Sequence, residues 1–322
     1  ALIVQALKSG IDSSVDAREE QRIFNLIACP QYPELIDNMI VLNNDRNNTA
    51  FVVGDTPLRL GPDGTAIQDW ANNVSSVANT TEDGLASRDV YCGVFYPSCQ
   101  TTDLSGSQVV QPPSHMMIRT IIRNDEVAYP WLAPAGTRRG VIDNADRIGY
   151  INAQTGEFVT LGVNQGLRDV LYQNDINPIT FIPGTGIVNF GNYTRANAAS
   201  AMDRINVARL IAYVRRQLSL IVKPYLFEPN DQQTRNEIKA AVESLLLELV
   251  GQRALYDFAV ICDTSNNTPA RIDRNELWID IAIKPEKAIE FIYIPIRICH
   301  QPIASTQCQR NQHAREIFHS ND

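Results

Sequence analysis

Long apolar runs are missing from this sequence of 322 residues. No stretch approaches the roughly 20 apolar residues of a membrane-spanning helix. The opening residues 1–6 are also too short for the apolar core of a signal peptide. We therefore expect a soluble protein made in a cytoplasm, with no direct membrane insertion.

Cysteine and positive charge are both scarce. Six cysteines are too few for a disulfide scaffold in a chain of this length, so reduced thiols are expected. The 28 basic residues are outnumbered by 36 acidic ones, which gives a net charge of −8. This balance argues against binding to nucleic acid or to an anionic membrane, and any basic partner surface must be local.

Histidine is rarer still, and three of the four histidines lie in the C-terminal tail. Any Ser-His or Cys-His hydrolase would therefore depend on His115. Its neighbour Ser114 has an obvious capping role at a predicted helix start. No Gly-x-Ser-x-Gly elbow occurs, and Gly184–Gly186 lacks the Lys-Ser/Thr that closes a phosphate loop. We predict no catalytic residues and no cofactor, and a hydrolase centred on His115 is the alternative from another class.

The tail 299–322 is polar and lacks a helix or strand period, which predicts a mobile segment. A zinc site needs about four converging N or S ligands. The spacing in the tail matches no standard zinc finger, so no metal site is predicted and a zinc-binding tail is kept as a minor hypothesis. The residues concerned are Cys299, His300, Cys308, His313 and His319.

Short apolar runs separated by turn-rich loops fill residues 1–191, which are predicted to form a first domain. Helices are expected around Ile67–Val77 and over Ser114–Val127. The alternation of strands and helices predicts an α/β architecture. The predicted strands are β-branched or aromatic and bounded by turn residues: Arg22–Cys29, Ala50–Val53, Val90–Phe95, Phe158–Leu161 and Ile179–Ile182.

A basic helix is predicted over Ala201–Val222, at the start of a smaller α+β domain that spans residues 192–298. Its apolar residues recur at steps of three and four, which indicates one buried stripe. Arg209 and Arg216 are predicted to project on the opposite side. We expect this side to be a locally positive surface in an acidic protein.

A second helix is indicated by the capping-box pattern Thr234-x-x-Glu237, and Gly251 ends it. Three strands are predicted after this helix, and a three-stranded sheet leaves two unpaired edges. Such edges are templates for another chain unless the first domain covers them. The predicted strands are Asp257–Cys262, Leu277–Ile283 and Phe291–Ile298.

An ordered series of short motifs resembles the contractile bacteriophage tail sheath family. The resemblance runs from about Gln21 to Ile298 and is more specific than any single motif. The residues that carry it are Pro112–Ser114, Arg119, Asn124–Asp125, Pro130–Gly136, Asn177–Ile179, Ile205–Arg209, Phe227–Asn230, Thr234–Arg235, Asn266–Thr268 and Glu290–Ile294.

This resemblance implies a structural protein without an active site. It implies a main domain of subtilisin-like α/β layout without a protease site, followed by the smaller α+β C-terminal domain. Such subunits stack as rings, expected to be hexameric, in a helical sheath around a tail tube. The sheath contracts to drive the tube through the host envelope for genome delivery. The implied partners are other copies of the chain, the tube protein, and baseplate and tail terminator proteins.

The resemblance also implies where the contacts lie. In this family the C-terminal sheet is completed by arms of neighbouring subunits, which is β-augmentation. The strand expected in that mesh contains Phe291, Ile292, Ile294, Ile296 and Ile298. Arg209 and Arg216 are the candidate tube-facing residues, with an ordinary solvated face as the other interpretation. The expected location is the virion tail, after assembly in the host cytoplasm, and the sheath of a phage-derived device such as a tailocin is the alternative within the same class.

Overall fold

The computed structural model describes residues 2–19, 21–74, 84–85 and 87–290. Residues 1–287 form one compact unit, and residues 288–322 are grouped separately. Only residues 288–290 of the second group are described, and they form neither helix nor strand. The predicted mesh strand Phe291–Ile298 and the predicted mobile tail lie outside the described residues.

Nine α-helices lie within the described ranges, and five of them have ten or more residues. Four 3₁₀ turns accompany them, at Asp16–Arg18, Pro33–Leu35, Ala201–Asp203 and Lys223–Tyr225. The helices are α1 (Leu2–Ser13), α2 (Ile36–Asp45), α3 (Ala66–Ala71), α4 (Pro113–Val127), α5 (Gly136–Arg139), α6 (Gln165–Gln173), α7 (Ile205–Val222), α8 (Gln232–Gly251) and α9 (Pro269–Ile272).

Eleven strands in the described ranges form three sheets. Most of them have between three and seven residues, as is usual for strands in globular proteins. They are β1 (Leu26–Ile27), β2 (Phe51–Asp55), β3 (Cys92–Tyr96), β4 (Ser98–Thr102), β5 (Gln108–Gln111), β6 (Arg147–Ile151), β7 (Phe158–Thr160), β8 (Ile176–Ile182), β9 (Gly186–Asn189), β10 (Leu255–Ile261) and β11 (Asp280–Pro285).

The central sheet has the strand order β1-β2-β3-β8-β9, in which the first four strands are parallel and β9 is antiparallel to β8. Every residue of β2 and β3 is buried. Continuous apolar strands are what a parallel sheet covered on both faces requires. The runs read from the sequence as buried strands are therefore the centre of the fold, although Arg22–Cys29 contributes only the two residues of β1.

The two remaining sheets are antiparallel. One has the order β5-β4-β6-β7, and the other pairs β10 with β11. The exposed strand β5, QVVQ, is half polar, so the sequence pattern missed it. The predicted third strand of the C-terminal sheet is outside the described residues, which leaves β10 and β11 as a hairpin-like pair.

Two hydrophobic clusters hold the unit together. The larger one surrounds the central sheet and includes Phe51, Phe95 and Trp70. The smaller one joins α8 to β10 and includes Val242 and Leu255. These clusters fit the mixed α/β architecture expected from the sequence. The subtilisin-like layout and the domain boundary near residue 191 stay predictions.

The start of α8 differs from the predicted capping box. The N-cap is Asp231, whose carboxylate accepts a hydrogen bond from the Thr234 backbone N–H at 2.8 Å. Glu237 instead accepts a hydrogen bond from the side chain of Gln233. The prediction failed because Asp231 and Thr234 are both good cap residues, and the earlier of the two begins the helix.

Candidate assembly surfaces

The first half of α7 is buried on almost every side. Ile205, Ala208 and Ala212 pack into the larger cluster, whereas Leu210 and Val214 pack into the smaller one. The sequence predicted one apolar stripe and one solvated side. That prediction is wrong for this half of the helix because two separate cores use two of its sides.

Arg209 is consequently an interior residue and is only 3% exposed. Its guanidinium donates to both oxygens of Asp125 on α4, with an Nη1–Oδ1 distance of 3.0 Å. Nη1 also donates to the carbonyl oxygen of Pro130 at 3.2 Å. A buried arginine requires such a paired carboxylate, since an isolated charge is strongly disfavoured away from water. The prediction that Arg209 lies on a solvent-facing side is therefore wrong.

Arg216 differs from Arg209 because it is partly exposed and has no carboxylate partner within the described part of the chain. It lines a cavity of about 40 Å³ together with Asn25 and Thr49. Arg46 is close enough that burial, and then the charge of Arg216, lowers the pKa of the Arg46 guanidinium. Arg215 adds a third, exposed charge, so the end of α7 is locally positive.

The pair β10–β11 presents two strand edges that no described strand covers. One face packs on α8 through Leu255 and Val260, which are 1% and 6% exposed. The opposite face keeps Tyr256 and Ile261 exposed. Unpaired backbone groups on an apolar edge are the usual requirement for adding a further strand.

Asp55 lies at the carboxyl end of β2 and is a fully buried carboxylate. It accepts hydrogen bonds from the backbone N–H of Gln31 at 2.8 Å, and from the backbone N–H and hydroxyl of Ser114 at 2.6 and 2.8 Å. Complete burial nevertheless raises the pKa of Asp55 to about 6. This carboxylate joins β2 to the first turn of α4, where free N–H groups favour an anion.

The arrangement around Ser114 does not resemble a nucleophile and its base. Ser114 is fully buried and its hydroxyl donates to Asp55, so it does not cap α4 as predicted. His115 is exposed, and no hydrogen bond in the described ranges joins it to Ser114. Nor do those ranges contain a cluster of three or more side chains suited to a metal ion.

Helices long and apolar enough to cross a membrane are absent from the described part of the chain.

Two functional side chains were missed by the sequence reasoning. Asp125 was noted only as part of a motif, and Asp55 was not singled out at all. A charged residue directly after a buried apolar strand, as in FVVGD, is a signal that could have indicated Asp55. Asp125 could not be found in this way, because its partner Arg209 lies far away in the sequence and no local pattern links the two residues.

Solved structures of contractile sheaths share the fold of this chain. The anti-feeding prophage helical sheath in the contracted state superposes with a TM-score of 0.67 and 19% identity, covering 91% of this chain and 73% of that chain. The sheath complex of an extracellular contractile injection system, PVC, in the contracted state gives a TM-score of 0.69 and 19% identity, covering 91% and 75%. At these identities the likeness defines a fold of the contractile-sheath class.

The sequence comparisons find phage tail sheath proteins among the relatives of this chain. Residues 197–299 match the family model of the phage tail sheath C-terminal domain. The tail sheath protein of Vibrio phage KVP40 is 39% identical over 168 residues, which are 52% of this chain and 23% of that protein. The tail sheath protein of Enterobacteria phage T4 is 35% identical over 170 residues, or 53% and 24%. The resemblance to the contractile tail sheath family is confirmed, and the matches span about a quarter of these relatives.

Proposed function

We propose that this chain is part of a contractile tail sheath subunit that polymerises around a tail tube and contracts to drive the tube through the host envelope for genome delivery. The observation that carries the proposal is the 39% identity to a phage tail sheath protein over half of the chain. The fold shared with contracted helical sheaths supports it. The corresponding location is the virion tail, after assembly in the host cytoplasm.

The proposed partners are further copies of the chain in stacked hexameric rings, the tail tube, and the baseplate and terminator proteins. The sheath C-terminal domain match at 197–299 supports the division of the chain into a main domain, 1–191, and a C-terminal domain, 192–298. The first of these has the proposed subtilisin-like layout. The role is structural, in line with the family.

The proposed mesh strand contains Phe291, Ile292, Ile294, Ile296 and Ile298. Support comes from the open edges of the β10–β11 pair and from the position of β11, which ends at Pro285, a few residues before the proposed strand. An Ile294→Pro variant removes one backbone donor from the strand and should prevent polymerisation. The control Ala288→Pro lies before the strand and should still polymerise.

The proposed tube contact is the positive end of α7, with Arg216 as the surface residue. Its support is the lack of a carboxylate partner among the described residues, together with the neighbouring charge of Arg46. We expect Arg216→Glu to weaken tube binding in low salt, because charge complementarity contributes to association. Arg138→Glu makes the same charge change on an exposed part of α5 and should leave tube binding unchanged.

Self-assembly is tested by negative-stain electron microscopy across a concentration series, with sedimentation velocity on the same samples. Rings or tubes of regular diameter are expected. A strict monomer at every concentration would contradict self-assembly of this chain.

A second candidate function is the sheath of a phage-derived contractile device such as a tailocin. The fold shared with the anti-feeding prophage and PVC sheaths favours it. Capsid and terminase genes beside the gene for this chain would favour the phage, and their absence would favour the device.

A further inference from the structure

A type II β-turn connects α7 to α8 and has an unusual residue at its second central position. The Glu228 backbone N–H donates to the carbonyl oxygen of Tyr225 at 3.2 Å. Leu226 has φ −63° and ψ 131°, and Phe227 has φ +75°. A type II turn requires positive φ at this position, which favours Gly or Asn. A bulky aromatic residue there is strained.

No contact in the described part of the subunit explains the choice of phenylalanine. The Phe227 side chain is 105% exposed, and the adjacent Leu226 is 60% exposed. Leu220 on the last turns of α7 is also exposed, at 56%. Strain at an exposed aromatic residue indicates a contact with another molecule, since the folded chain itself gains nothing from the ring.

An open groove on α4 has the chemistry to receive this turn. Its volume is about 570 Å³, and Ile118 and Ile122 supply its apolar wall. Arg119 lies on the same wall with a 61% exposed side chain, and it shares the carboxylate of Asp143 with Arg123, which leaves this group with one net positive charge. Asn144 completes the groove, and both polar atoms of its amide are buried without a hydrogen-bond partner. Such an amide can accept a backbone N–H and donate to a backbone carbonyl together once its side chain turns outward into the groove.

We propose that the turn Leu226–Glu228 of one copy docks into the α4 groove of a second copy. Phe227 packs between Ile118 and Ile122, and the Asn144 amide turns outward to meet the backbone of the turn. Glu228 faces Arg119 and Arg123, whose two charges are only half neutralised by Asp143. The proposal rests on the self-assembly proposed above and assigns one of its contacts.

The geometry of this contact suits an open polymer. The turn and the groove are different surfaces of the same chain, so the contact is heterologous and can repeat along a ring or a helix. The cavity of about 40 Å³ beside Arg216 is too small for a phenyl ring, whereas the α4 groove has ample room. This difference favours the groove over that cavity as the acceptor.

The first test is Phe227→Gly, which has opposite effects on folding and on assembly. Glycine relieves the strain at positive φ, so the variant should be at least as resistant to unfolding as the wild type. The concentration at which polymers form, measured by sedimentation velocity and electron microscopy, should rise by about tenfold or more. The control Leu104→Gly removes another fully exposed apolar side chain, 110% exposed, and should leave that concentration unchanged.

The second test reverses the two charges. Glu228→Arg and Arg119→Glu should each raise the assembly concentration, and the double variant should recover most of the loss. If the wild-type chain polymerises and Phe227→Gly leaves the assembly concentration unchanged, the docking contact is overturned while the proposed self-assembly stands. Failure of the double variant to recover would overturn the α4 groove as acceptor. A wild-type chain that never associates would overturn both the contact and the proposed self-assembly.

Discussion

Replacement of Arg209 by alanine is the sharpest test of how α7 is held in the subunit. The change removes the guanidinium that binds Asp125 and the carbonyl oxygen of Pro130. The remaining Asp125 side chain is only 18% exposed, so its carboxylate is left mostly buried without a partner. Breaking one side of a buried ion pair costs about 3–5 kcal/mol. We expect about 3 kcal/mol, because Asp125 retains some contact with water.

The measurement is denaturant unfolding, in which the midpoint falls at an unchanged slope. Arg216→Ala is the matched control on the same helix and should change the free energy of unfolding by no more than about 0.5 kcal/mol. A double-mutant cycle with Asp125→Ala isolates the pair from other effects. If Arg209→Ala and Arg216→Ala were equally mild, the assignment of Arg209 to the interior would be refuted.

Three further changes test separate parts of the fold by the same unfolding measurement. Asp231→Ala should lower the denaturation midpoint by removing the N-cap of α8, whereas Glu237→Ala should lower it less; equal decreases would favour the predicted capping box instead. The pKa of Asp55 is raised to about 6 in the folded state, so its proton is bound more tightly there than in the unfolded chain. The stability of the wild type relative to Asp55→Asn should therefore fall by roughly 3 kcal/mol in total as the pH rises from about 3 to about 7, and an unchanged difference would contradict the raised pKa. Gly149→Ala would overlap a backbone carbonyl of β7 and should cost about 1–3 kcal/mol, while Gly162→Ala meets nothing within 4 Å and should be neutral.

Local patterns predicted the parts of the fold that depend on local physics. The runs around Val53 and Val94 were recognised as buried strands because their continuous apolar character is set by burial on both faces. The helix that begins after Pro112 was predicted from the two prolines at its start and from the helical spacing of the apolar residues after them. The strands β4 and β5 were missed because both are rich in polar residues and carry little periodic signal.

The candidate site was less predictable, since it depends on contacts between distant parts of the chain. A helical projection of α7 places Arg209 opposite the apolar stripe, but it cannot show that a second core covers that side. The same limit applies to Asp55, whose donors come from residues 31 and 114. The strain at Phe227 was also invisible, because a turn type is defined by backbone angles that the sequence alone does not fix.

The position of α7 between the two hydrophobic clusters has a mechanical consequence. Its 18 residues supply side chains to both clusters, and the Arg209–Asp125 pair fastens it to α4. A pull on β10 through its outer edge would pass into α8 and α7 and reach the central sheet without crossing a flexible joint. We therefore expect the described unit to move as one body, so that any rearrangement of the proposed array would change the contacts between copies rather than the packing inside each copy.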